Sequence, residues 1–223
     1  KDWNYTTLFT LVGGGSLLHE YKAQLTGDLE LAGERGGLWG SSGQGTISNL
    51  LLQRGSLSLK NRAPMELKMK DGTASLSNFR IEGEQTFFDI KGKQISNKDL
   101  NLRLDGQANL RLFQIFVPFL EELGGQAVIA ADISGPLLQP EVLGNASIRT
   151  GFAKLKGSPH AFEKVQADVQ FSQSKVIING FRGNLAGGTF DGDGSIVIAG
   201  PQNLPMTIKA RVNRVNLNVP DHV

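Results

Sequence analysis

The chain has 223 residues, a formal net charge of +2, 28 glycines, 8 prolines and no cysteine. The lack of cysteine excludes disulfides, thiolate nucleophiles and cysteine metal sites. The near-zero charge leaves no field that would gather nucleic acid, and abundant glycine with 20% charged residues is a turn-rich β composition, not a disordered one.

No apolar run approaches the ~18 residues a membrane helix needs, and no basic–apolar–small leader opens the chain. The opening at Lys1 reads as the middle of something longer, so the chain is expected to be a segment of a larger protein. Tyr5 to Val12 predicts a strand and Gly13 to Ser16 a hairpin turn; a phosphate loop would need a Lys-Ser/Thr pair that does not follow. Leu17 to Leu31 predicts one or two strands. Glu34 to Gly45 is a polar glycine/serine stretch with Trp39 buried at its turn.

From Thr46 onward apolar and polar residues alternate steadily. Leu57 and Leu59 alternate with serines, and Met65, Leu67 and Met69 with Glu66, Lys68 and Lys70. Leu76, Phe79 and Ile81 change phase once, which predicts a β-bulge near Asn78. Leu100, Leu102 and Leu104 resume the pattern. Beyond the middle of the chain, Val165, Ala167, Val169 and Phe171 repeat it, as do Ile208, Ala210 and Val212, before Val215, Leu217 and Val219 continue in a slipped phase. Period-two patterning with one oily and one polar face is the antiparallel signature. The lysines and arginines at 60, 62, 68, 70, 91, 93 and 98 alternate with apolar positions and read as solvated strand faces.

One segment breaks the pattern. Phe113, Phe116, Val117, Leu120 and Leu123 fall on one face of a helix, so a buried helix is expected within Leu110 to Leu123, kinked or started at Pro118 and stopped at Gly124. It would plug the open end of a sheet, or touch an acyl chain. A strand over Gln126 to Ser134 follows. The division expected is a first β unit over 1–109, a helical joint over 110–125 and a second β unit over 126–223, all in one continuous elongated sheet. Gly45-Thr-Ile beside Gly144-Asn-Ala-Ser-Ile, Gly55–Lys60 beside Gly151–Lys156, and Asn78-Phe-Arg beside Asn179-Gly-Phe-Arg suggest a repeat of roughly a hundred residues.

No constellation carries chemistry. His19, His160 and His222 lie far apart with no carboxylate or nucleophile pattern, and Gly40–Gly45 has the wrong spacing for a nucleophile elbow. Glu121 and Glu122 are adjacent and would diverge on a helix. Asp191-Gly-Asp-Gly194 lacks the later ligands of a calcium loop and reads as a glycine-rich turn. No enzyme, metal or cofactor is expected. The oily faces either close on each other or stay open as a trough.

Ile133-Ser-Gly-Pro…Gly144-Asn-Ala-Ser-Ile148, with Gly151-Phe-Ala-Lys-Leu-Lys156, Val165–Phe171, Val176–Phe181 and Gly187–Gly194, resembles the repeat of the TamB family, part of the AsmA-like group of bacterial envelope proteins. The resemblance covers residues 110 to 219 well and 25 to 105 more loosely. It implies an all-β, curled antiparallel sheet with a hydrophobic trough. Its parent would be anchored in the inner membrane and cross the periplasm of a Gram-negative cell, carrying phospholipid towards the outer membrane beside a BamA-like (TamA-type) barrel. Leu100, Leu102, Leu104, Val165, Ala167, Val169, Phe171, Ile208, Ala210 and Val212 would line the groove. The alternative is a protein–protein scaffold that adds strands to such a barrel by β-augmentation.

Overall fold

Alternating apolar and polar side chains suit a strand with one covered face, and the computed structural model turns nearly every such run into one. It describes residues 22–33, 40–96, 99–116, 119–136, 140–198 and 205–216. The strands are β1 (Lys22–Gly33), β2 (Ser41–Arg54), β3 (Leu57–Asn61), β4 (Met65–Lys70), β5 (Thr73–Gly83), β6 (Thr86–Ile95), β7 (Leu100–Asn109), β8 (Leu120–Gly124), β9 (Gln126–Gly135), β10 (Glu141–Leu155), β11 (Ala161–Gln173), β12 (Lys175–Leu185), β13 (Gly188–Val197) and β14 (Met206–Asn213). The fold is all-β and its registers are antiparallel. No α-helix occurs among the described residues; a 3-10 helix spans Leu110–Phe116. The predicted elements at 5–16, Trp39 at its turn, and Leu217 and Val219 lie outside the described residues.

The chain gathers into two units. One comprises Lys1–Gln107 and Ala130–Leu143, the other Ala108–Ile129 and Gly144–Val223. In the first, hydrogen-bonded neighbours run β1-β2-β3-β5-β6-β7, with β4 also between β2 and β5. Strands β3 and β4 together fill one position: β2 pairs its second half with β3 and its first half with β4, and β5 does the same from the other side. The break falls at Arg62-Ala63-Pro64, where proline could not donate to a ladder. The side chain of Asn61 bridges it, accepting from the Leu50 N–H at 2.8 Å and donating to the carbonyls of Ser48 at 3.2 Å and Ala63 at 2.9 Å. In the second unit the order is β10-β11-β12-β13-β14, with β8 on β10.

The bulge expected near Asn78 is present: the β5–β6 register shifts between Leu76 and Phe79, and Asn78 has φ 59°. Asparagine tolerates that left-handed conformation. A second bulge shifts β12 against β13 between Ile178 and Phe181. An offset of 102 residues carries the bounds of β5 onto β12, those of β6 onto β13, and one bulge onto the other. Phe79, Arg80, Phe88, Asp89 and Gly92 thereby fall on Phe181, Arg182, Phe190, Asp191 and Gly194. The sequence match of Gly55 to Gly151 does not survive, because Gly55 sits in a turn at φ 56° and Gly151 lies inside β10.

Three expectations are corrected. The helix within Leu110 to Leu123 is only the 3-10 turn, and Leu120 and Leu123 belong to β8, where Leu120 faces Leu155 and Leu123 faces Ala153. Helical spacing of apolar residues lost to a neighbouring strand that satisfies the backbone of 120–124, with Lys154 paired to Glu121 at 3.1 Å. Gly124 is thus no helix stop; it pairs with Phe152, and Gly125 takes φ 102°. Phe113 is half-buried on the 3-10 helix, while the Phe116 side chain and Val117 lie outside what is described. The glycine/serine stretch is strand from Ser41, and Asp191–Gly194 is the interior of β13, with the turn at Ala186-Gly187 instead. In both cases the glycines fit because of the approach of neighbouring backbone described below.

Candidate functional site

Directly paired residues of an antiparallel ladder share a face, so the registers sort every strand residue into one of two faces. In the first unit a row runs Leu29, Gly45, Leu67, Leu76, Gly92, Leu102 across β1, β2, β4, β5, β6 and β7. The adjacent rows contain Met69, Ala74, Ile95 and Leu100, and Phe79, Ile90 and Leu104. In the second unit the rows are Phe171, Val176, Ile196, Met206; Val169, Ile178, Gly194, Ile208; and Ala167, Phe181, Gly192, Ala210. Val212 continues this face opposite Phe190. A shift between Glu163 and Gln166, with Lys164 at φ 51°, keeps Val165 on the side of Ala167.

The structure therefore brings Leu100, Leu102 and Leu104 onto the apolar face of the first unit, and Val165, Ala167, Val169, Phe171, Ile208, Ala210 and Val212 onto that of the second. Sequence reading took Val176 to Phe181 as part of the family resemblance but did not place Val176, Ile178 and Phe181, or Phe190, on this face. The bulge spaces Ile178 and Phe181 three apart, which breaks the period-two signal. Phe190 is the anchor: it is 6% exposed, stands edge-on to Phe162 at 5.2 Å and lies 6.1 Å from Phe181.

These faces are not sealed. Among the described residues the only large side chain that is fully covered is Met65, at 1% exposure. Leu102, Leu104, Val165, Val169 and Phe171 are half-buried, Leu100 and Ala167 buried, and Ala210 exposed. Ile208 is 45% and Val212 65% exposed.

Several glycines on this face lie where a neighbouring backbone closes in, whereas at Gly92 the nearest atom is the Leu102 side chain. A Cβ on Gly43, Gly83 or Gly192 would run into the carbonyl oxygen of Glu30, Ser58 or Lys209, and one on Gly194 would come within 2.6 Å of the Thr207 oxygen. Gly180 pairs with Asp168 on the polar face, and there a Cβ would meet nothing nearer than 4.0 Å.

The polar face carries ion pairs along its rows. Arg80 binds Asp89 across the ladder at 2.7 Å and stands 4.7 Å above the Phe87 ring. Arg103 binds Asp105 at 3.0 Å and Asp132 at 2.9 Å; the hydrogen bonds to Asp105 and then Asp132 push its pKa above the ordinary arginine value, so it stays charged at any accessible pH. Lys60, Lys68, Lys70 and Lys91 are exposed as expected, while the Lys93 side chain and Lys98 lie outside the described residues. A depression of about 690 Å³ on the polar face of the second unit is bordered by Arg149, Asp168, Arg182, Asp191, Asp193, Lys209 and Arg211, charges of both signs that leave no preferred ligand.

Among the described residues no group of three or more His, Asp or Glu is placed to hold a metal ion. His160 is half-buried in the turn after β10, and His19 and His222 lie outside the described residues. Glu121 and Glu122 point to opposite sides of a strand, so they cannot share one substrate bond. No helix among the described residues is long and apolar enough to cross a membrane. No protein-family model, no curated protein and no solved structure matches the chain.

Proposed function

We propose that this chain is a segment of a lipid-transfer conduit that holds phospholipid acyl chains against the apolar faces of its two units. The half-open state of those faces carries the reading. A closed sandwich would bury its rows as it buries Met65, whereas Val169, Leu102 and Ile208 keep contact with solvent. Each methylene moved from water onto such a surface gains about 0.8 kcal/mol, so a tail lying along a row is held while its headgroup stays wet. The crowded glycines support a trough: carbonyls of Glu30 and Lys209 leaning over Gly43 and Gly192 are what a sheet bent towards its apolar side would require. The 102-residue offset supports a repeat of one template, each copy carrying an apolar face of the same kind.

On this reading transfer is passive and no residue is catalytic. The resemblance to the TamB family would put the parent in the periplasm, anchored in the inner membrane, with a BamA-like barrel as its outer-membrane partner and phospholipid as its cargo.

A photo-crosslinking residue at position 102 or 169, incubated with phospholipid vesicles, is expected to give lipid adducts. Leu102→Arg and Val169→Glu should lose lipid binding while melting close to the parent, because the charge reaches water through the open face. Absence of adducts together with variants melting far below the parent would overturn the proposal and leave a closed core.

A further inference from the structure

The sequence contains one Asn-Gly dipeptide, Asn179-Gly180, and the fold sets it in the bulge of β12. Both ladders of this strand step over Asn179. Against β11 the register passes from Asp168↔Gly180 to Val169↔Ile178. Against β13 it passes from Ile178↔Gly194 to Phe181↔Gly192. Asn179 is thus the extra residue that neither neighbouring strand pairs. It is exposed, and with Gly180 it borders the depression of about 690 Å³ on the polar face, so water reaches it. A Cβ built on Gly180 would meet nothing nearer than 4.0 Å, so no neighbouring atom crowds the space beside it.

We propose that Asn179 is a modification site at which the folded chain rearranges its own backbone without an enzyme. The Gly180 amide nitrogen gives up its proton and attacks Cγ of Asn179. The new nitrogen–carbon bond closes a five-membered succinimide, and the side-chain nitrogen leaves as ammonia, carrying that proton. Water then opens the ring. Hydrolysis at the side-chain carbonyl gives aspartate. Hydrolysis at the main-chain carbonyl gives isoaspartate, in which the chain runs on through Cβ and Cγ, one methylene longer, beside a free carboxylate. Ring closure needs a backbone that no ladder ties on both sides, and glycine brings no Cβ to obstruct the attack. The bulge of the first unit supplies the contrast: Asn78 sits in it at φ 59° but is followed by Phe79, whose side chain hinders its own amide. The bulge of β12 is what returns Phe181 to the apolar side, so an added methylene there disturbs the register on which that face depends. The inference does not depend on lipid binding.

Tryptic mapping of the folded chain after ageing at mildly alkaline pH tests it. The peptide 176–182 should resolve into asparagine, aspartate and isoaspartate forms, at a rate that rises with hydroxide, while the peptide holding Asn78 stays intact. Gly180→Ala, whose methyl group enters open space, should fold like the parent and slow the conversion roughly tenfold. A folded chain that keeps Asn179 whole over the time in which the same chain converts in urea would overturn the inference, because the fold would then protect the site. So would equal conversion at Asn78, or a Gly180→Ala variant that converts as fast as the parent. Asn179→Asp supplies the charge without the extra methylene and should melt close to the parent, with the isoaspartate-rich aged chain melting below both. An aged chain that melts together with Asn179→Asp would overturn the effect on the register.

Discussion

Asn61 does with a side chain what a ladder normally does with backbone. Its amide accepts from the Leu50 N–H and donates to two carbonyls at the point where β3 stops and Pro64 prevents pairing. Asn61→Ala should lower stability by about 1–3 kcal/mol, because the half-buried Leu50 N–H is left without its acceptor. Asn61→Asp keeps that acceptor, loses the two donors and should lose less; urea denaturation of both variants ranks them. Glycines give a sharper test of curvature. Gly192→Ala should cost about 1–3 kcal/mol, since its methyl group runs into the Lys209 carbonyl. Gly180→Ala faces open space, has no left-handed φ, and should be neutral or stabilise by about 0.4–1 kcal/mol through the unfolded chain. Equal losses at both positions would contradict a sheet bent towards its apolar side.

At the scale of elements, the bulges decide which residues serve the apolar face. A strand slipped by one residue turns all its side chains over, and the shifts near Asn78 and Asn179 restore Phe79 and Phe181 to the oily side after the slip. Both bulges are followed by an arginine, Arg80 or Arg182, whose directly paired residue is Asp89 or Asp191. The first bulge was legible as a change of phase from Leu76 to Phe79. The second was hidden, because Val176, Ile177 and Ile178 are all apolar and show no phase to change. The segment at 110–124 misled for a related reason: five apolar residues at helical spacing also fit a 3-10 turn followed by a strand, and only the backbone of β10 alongside selects between them.

For the whole molecule, the decisive quantity is how far the oily faces are covered. Met65 and Val212 occupy the same kind of position, apolar side of a strand, at opposite extremes of exposure. Met65→Glu should lower stability by about 3 kcal/mol or more, because an unpaired carboxylate is buried. Val212→Glu should change it by no more than about 0.5 kcal/mol. Paired thermal and denaturant melts check both, and a large loss at Val212 would mean that β14 is covered in solution, by a second copy or by another part of a longer chain.

The sequence by itself determined that the protein is all-β, that its strands have one oily and one polar face, and that Leu100, Leu102, Leu104, Val165, Ala167, Val169, Phe171, Ile208, Ala210 and Val212 lie on the oily side. Side-chain alternation is a local property with a period of two, and it survives without knowledge of any partner. What only the tertiary structure decided was non-local: that β3 and β4 share one position, that Leu120 and Leu123 join a strand, that a neighbouring backbone approaches Gly43 and Gly192, and that coverage of the apolar faces ranges from buried Met65 to exposed Val212. Each depends on which strand lies alongside, and a pairing between residues far apart in the chain leaves no period in the sequence to read.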